Sequence, residues 1–97
     1  MTCLVVADFT FKEEEADNMA DRWRTLFPDT RGYPGCIDLS VSRNQDDPNK
    51  FVIIVVWESR EQAENYLNWR SDRGDLENYS KWVTEEPTIR FFNKLGL

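Results

Sequence analysis

The stretch KFVIIVVWESR, Lys50 to Arg60, constrains this chain more than any other. Successive side chains of a strand point to opposite faces, so a strand with one face on a core and one in water alternates apolar with polar residues. Here Phe51, Ile53, Val55 and Trp57 fall on one face, and Val52, Ile54 and Val56 on the other. Both faces are apolar, and both need cover. The chain has 97 residues. A chain of that length buries about 60–65% of its unfolded surface, enough for a sheet under one layer of helices but not for a third layer. Helices can cover one face, and the other calls for cover from outside the chain.

The rest of the pattern supplies that sheet and those helices. Cys3 to Phe11 is rich in β-formers, with Cys3, Val5, Ala7, Phe9 and Phe11 apolar at the odd positions, and reads as the first strand. The period then becomes helical: Ala16, Met19, Ala20, Trp23, Leu26 and Phe27 share a face. Glu13 to Glu15 sit in the first turn and Arg22 and Arg24 towards the end, as the helix dipole favours. Pro28 is expected to stop this helix and Asp29 to Gly35 to form a loop. Cys36 to Arg43 alternates Ile37, Leu39 and Val41 against Asp38, Ser40 and Ser42, and NQDDPNK turns the chain into the two-faced strand. Ser59 to Gln62 fits a capping box opening a second helix, with Ala63, Tyr66 and Leu67 facing inward, Arg70 one turn on, and Gly74 at its end. A short helix from Asp75 to Val83, with Leu76, Tyr79 and Val83 inward, is closed by Pro87, and Thr88 to Asn93 is the last strand. The order β-α-β-β-α-β predicts an α+β fold, residues 1–97 forming one domain with an antiparallel sheet and both helices on one face. A homodimer, two sheets packed face to face about 10 Å apart, would cover the spare face. The plainer solution is light cover from the tail KLGL.

Composition narrows the function. Eighteen acids outweigh twelve scattered Lys and Arg, for a net charge of −6, so the basic footprint of a nucleic-acid binder is missing. No apolar run approaches the ~20 residues of a membrane span. Met1-Thr2-Cys3 leads into a strand pattern without a basic segment or cleavage site, so no membrane partner and a cytoplasmic location are expected. Cys3 and Cys36 lie in predicted strands without CxxC spacing and read as buried reduced thiols. The chain has no histidine, which excludes Ser-His and Cys-His nucleophile pairs, histidine-bound zinc and a histidine ligand to haem. No metal site is expected, since Asp46-Asp47-Pro48-Asn49 is turn chemistry without calcium-loop spacing. Six Phe, four Trp and three Tyr are many for so small a chain.

YPGCIDLSVSRNQDDPNKFVIIVVWESREQAENYL, Tyr33 to Leu67, resembles the antibiotic biosynthesis monooxygenase domain. The likeness rests on Pro34-Gly35 before a strand, the turn around Pro48, and an apolar strand ending in Trp57-Glu58-Ser59, followed by Ala63. EEPTIRFFNKL, Glu85 to Leu95, resembles that family's closing strand. The resemblance implies ferredoxin-like subunits paired in a dimeric α/β barrel, in agreement with the uncovered face. It also implies oxygenation of a polycyclic phenol or quinol with no metal, flavin or haem cofactor. A deprotonated electron-rich ring can itself reduce oxygen, so the protein need only desolvate it, orient it and hold its charge. The chain departs from the family at Ile53, where antibiotic-type members carry Asn, and at Tyr66, where many carry His and the haem-degrading ones Trp. Haem breakdown is excluded, because that branch needs an axial histidine.

The resemblance places a site between sheet and helices. The catalytic candidates there are Trp57, as a pocket wall, and Tyr66, a phenol able to protonate or hydrogen-bond a substrate oxygen. Arg70 and Arg90 are candidate anion holders, although Arg90 points opposite to Ile89 and Phe91 and either arginine could pair with a carboxylate such as Asp38. Tyr33 and Trp69 are candidate lids that could equally be seam aromatics. The expected function is a cofactor-independent monooxygenase of an aromatic small molecule, with a non-catalytic, ligand-binding or structural homodimer as the alternative. A cavity of roughly 300 Å³ or more would favour the enzyme. Space filled by Trp23, Phe91 and Trp57 packing together would count against it.

Overall fold

A computed structural model describes residues 2–97. Four strands, β1 (Cys3–Thr10), β2 (Cys36–Arg43), β3 (Lys50–Trp57) and β4 (Thr88–Asn93), form one antiparallel sheet in the order β2-β3-β1-β4. The helices are α1 (Glu13–Ala16), α2 (Met19–Arg31), α3 (Arg60–Asp72) and α4 (Asp75–Ser80). The order, with the two-faced strand and β1 at the centre, is the ferredoxin-like α+β arrangement expected from the sequence. Val5, Ala7 and Phe9 of β1 and Phe51, Ile53, Val55 and Trp57 of β3 make one core with Met19, Trp23 and Phe27 of α2 and Ala63 of α3.

Local boundaries differ from the expectation in ways that matter for the site. The first helix is divided: at Asp17 and Asn18 the Asn18 side chain donates to the Glu14 carbonyl, and such local bonding competes with the helical ladder. Pro28 does not stop the second piece, which runs on to Arg31. Its ring lies on the exposed side, so the chain loses one N–H bond while the Pro28 carbonyl still accepts from Gly32. Thr30, expected in a loop, is thereby helical and buried. Phe11 falls outside β1 and bridges to Val83, and α4 ends at Ser80 rather than Val83.

A register shift between Cys36 and Asp38 leaves Ile37 without a partner on β3 and 54% exposed. Of the alternating set on β2, only Leu39 is buried. Both cysteines are free, Cys3 buried and Cys36 half-buried, where burial pushes the Cys36 thiol above its ordinary pKa. The capping box is half made: the Gln62 backbone N–H donates to Ser59 Oγ.

The face away from the helices carries Leu4 and Val6 of β1, Val52, Ile54 and Val56 of β3, and Phe92 of β4. Asp38, Ser40 and Ser42 flank it on β2, and the exposed pair Arg90–Asp8 flanks it on the other side. The tail does not cover it, since Leu95 and Leu97 are exposed.

Candidate functional site

Between the sheet and α2, α3 and α4 lies a cavity of about 90 Å³. Its floor is the helix-facing side of the two central strands: Val5 and Ala7 of β1, Ile53 and Val55 of β3. Alternation puts these small and branched side chains on one face, so the floor is apolar throughout. Trp57, last on the same strand face, forms one wall with its ring centre 5.0 Å from that of Tyr66.

The polar groups lining the cavity are Thr30, Tyr66, Arg70, Asp75 and Tyr79. Arg70 binds three of the other four. It is 4% exposed, and its guanidinium donates from Nε to the Tyr66 hydroxyl at 2.8 Å and from Nη1 to Asp75 Oδ2 at 2.9 Å. From Nη2 it donates to the Leu26 carbonyl at 2.7 Å and to Thr30 Oγ1 at 3.0 Å. Burial alone would lower the Arg70 pKa; the bonds to Tyr66 and Asp75 outweigh it and raise the pKa above the ordinary arginine value. The cation is therefore permanent, and Asp75 is its counter-ion.

Proton counting shows what this end of the cavity can offer. Tyr66 and Thr30 share one hydrogen bond of 2.6 Å, in which either hydroxyl can donate. Whichever donates, the other hydroxyl keeps a proton with no acceptor among the described residues, and both side chains line the cavity. Tyr79 repeats the pattern: its oxygen accepts from Trp23 Nε1 at 2.8 Å, and its own proton finds no acceptor among the described residues. Burial pushes the Tyr79 phenol up to about 12, so it stays protonated and able to donate. A ligand oxygen placed here would meet hydroxyl donors beside a fixed cation.

Of the residues singled out from the sequence, Trp57, Tyr66 and Arg70 come together at the cavity. Tyr33 and Trp69 pack behind them, their rings 5.2 Å apart, with Trp69 stacked against Arg70 and Arg73. Neither lines the cavity. Arg90 is on the opposite face of the sheet, opposite Val6 and 2.7 Å from Asp8 rather than near Asp38. Thr30 and Asp75 belong to the site without having been singled out, and Ile53 leaves the floor without a polar group.

Trp23 and Trp57 fall in two separate aromatic groups, one with Phe9, Phe11, Phe27, Phe51 and Tyr79, the other with Tyr33, Tyr66 and Trp69. Phe91 lies under the Arg60 guanidinium. The three do not fill the space, yet about 90 Å³ is well short of the ~300 Å³ of a typical small-molecule site. No group of three or more His, Cys, Asp or Glu side chains that could hold a metal occurs among the described residues, and none of their helices is long and apolar enough to cross a membrane.

The profile of the family described as antibiotic biosynthesis monooxygenase matches residues 2–71. No curated protein matches the chain. Among solved structures it is similar to a conserved protein from Methanosarcina mazei Go1, with a TM-score of 0.87 at 19% identity over 97% of this chain and 93% of that one. It is also similar to an antibiotic biosynthesis monooxygenase (TM-score 0.83, 22% identity, 96% and 98% covered). A Nitrosomonas europaea protein of unknown function gives 0.84 at 14% identity, with 99% and 91% covered. At these identities the likeness is one of fold.

Proposed function

Because the chain belongs to the antibiotic biosynthesis monooxygenase family, we propose that it binds a small phenol- or quinol-type aromatic molecule between sheet and helices and oxygenates it without a metal, flavin or haem. One observation carries this reading: an apolar cavity that ends on a buried arginine with cavity-lining hydroxyls beside it. Arg70 holds the substrate oxygen as a phenolate, and the apolar floor removes water from the ring. The phenolate gives one electron to dioxygen, and the two radicals join at the ring carbon para to the oxygen. Loss of water from that hydroperoxide leaves a quinone, so a phenol and O₂ become a quinone and water. Tyr66 or Thr30 donates the spare hydroxyl proton to the departing oxygen and recovers one from the substrate.

Oxygen uptake with a panel of phenols and hydroquinones tests the chemistry. The native protein should consume oxygen above the buffer rate, and Tyr66→Phe should slow it by about 10²-fold, the lower end for loss of a positioned proton donor. Uptake at the buffer rate for every compound would reject oxygenation. Ile53 favours a second reading, binding without chemistry, because the cavity floor offers no donor to a reduced oxygen species. Ligands that quench the fluorescence of Trp57 without consuming oxygen would select it.

The chain acts as a homodimer in this reading, a second copy covering Leu4, Val6, Val52, Ile54 and Phe92. A flat apolar centre between polar edges is complementary to itself across a two-fold axis. Two free thiols suit a cytoplasmic setting.

A further inference from the structure

Asp75 sits at the Arg70 end of the cavity. Its carboxylate lines the cavity from α4 and accepts from Arg70 Nη1 at 2.9 Å. It also accepts from Arg73 Nε at 3.1 Å, on an exposed arginine just beyond α3. The first turn of the helix that carries it is lightly held. At its start, Leu76 is 37% exposed although it lines the cavity, and Gly74 before it adopts φ +79° with open space where a side chain would be. The hydrogen bond from Trp23 to Tyr79 ties its far end.

The cavity, about 90 Å³, is smaller than the ~150 Å³ that admits benzene in a protein core. Admitting a ring requires a wall of the cavity to move outward, and movement of the lightly held first turn of α4 takes Asp75 off Arg70. The separation leaves the two charges in different positions. Asp75 keeps Arg73, whereas the other partners of Arg70 are neutral oxygens of Tyr66, Thr30 and Leu26. A buried cation without a counter-ion is strongly unfavourable, so the incoming molecule must bring the negative charge.

We propose that Asp75 is an internal stand-in for the ligand's charged oxygen, and that the site takes a small aromatic anion which replaces Asp75 on Arg70. Asp75 then sets the preference between charged and neutral rings. The inference rests on reading the cavity as a ligand site.

Calorimetric titration with benzoate and with neutral benzyl alcohol, on the native protein and on Asp75→Asn, tests it. The amide no longer competes as a counter-ion, so benzoate should bind about tenfold tighter to the variant, within the range of close charge pairs, with benzyl alcohol unchanged. Equal gains for both ligands, or none for benzoate while benzyl alcohol still binds, would overturn the role of Asp75 and leave the cavity as a ligand site. Failure of both ligands to bind either protein would remove both ideas. Hydrogen exchange on the native protein gives an answer even if Asp75→Asn does not fold. Benzoate should speed exchange in α4, because it breaks the Arg70 tie; slower exchange there would contradict the proposal.

Discussion

Arg70 joins three helices through one side chain: Leu26 and Thr30 of α2, Tyr66 of its own α3, and Asp75 of α4. Removing one partner of a buried pair costs about 3–5 kcal/mol, and because Asp75 keeps Arg73 we expect Arg70→Met to cost about 3 kcal/mol. Arg90→Met, which breaks an ion pair exposed on both sides, should cost under about 1 kcal/mol in the same urea unfolding measurement. Equal costs would show that the Arg70 network is not a buried unit. Tyr79 adds a pH signature. An unfolded tyrosine releases its proton near ~10, and the folded one holds it to about 12. Between those values the unfolded state binds fewer protons, so stability is full below about pH 10 and falls as pH rises through that window. Tyr79→Phe should flatten the fall, whereas an unchanged slope would assign it to other groups. Trp57, Tyr66 and Arg70 were legible because strand alternation and helical spacing fix which face a residue takes. Thr30 was not, because Pro28 read as a helix stop, and Asp75 read only as the first residue of a short helix. Arg90 pairs with Asp8 through the β1–β4 register, a long-range fact no local pattern carries.

The elements around the site depend on one turn. Gly35, between α2 and β2, adopts φ +93°, and its carbonyl accepts from the Glu58 backbone where β3 passes into α3. A Cβ there would lie 2.5 Å from the Gln62 side chain. Gly35→Ala should therefore destabilise the protein by about 1–2 kcal/mol from the left-handed backbone alone, with a further loss as Gln62 is displaced. No change in the unfolding midpoint would mean that the turn relaxes freely. The Pro-Gly turn was visible in the sequence. The bulge after it was not, because Ile37, Leu39 and Val41 alternate perfectly on paper, and only the pairing with β3 reveals that Ile37 has slipped out of register. The helix order was readable, and the divided first helix was obscured by a continuous apolar stripe from Ala16 to Phe27.

Across the whole molecule, β3 serves two surfaces at once. Phe51, Ile53, Val55 and Trp57 close the core and the cavity beneath the helices, while Val52, Ile54 and Val56 face away from every helix. Phe92, 43% exposed, extends that second surface. Patches of this kind on a small domain mark an interface, and a second copy of the chain is the cover this account requires. Sedimentation equilibrium of the native protein and of Ile54→Lys tests that claim most directly. The native chain should sediment at twice the mass of one chain at low micromolar concentration, and Ile54→Lys as a folded single chain; a native chain that sediments alone, with its second face in water, would contradict it.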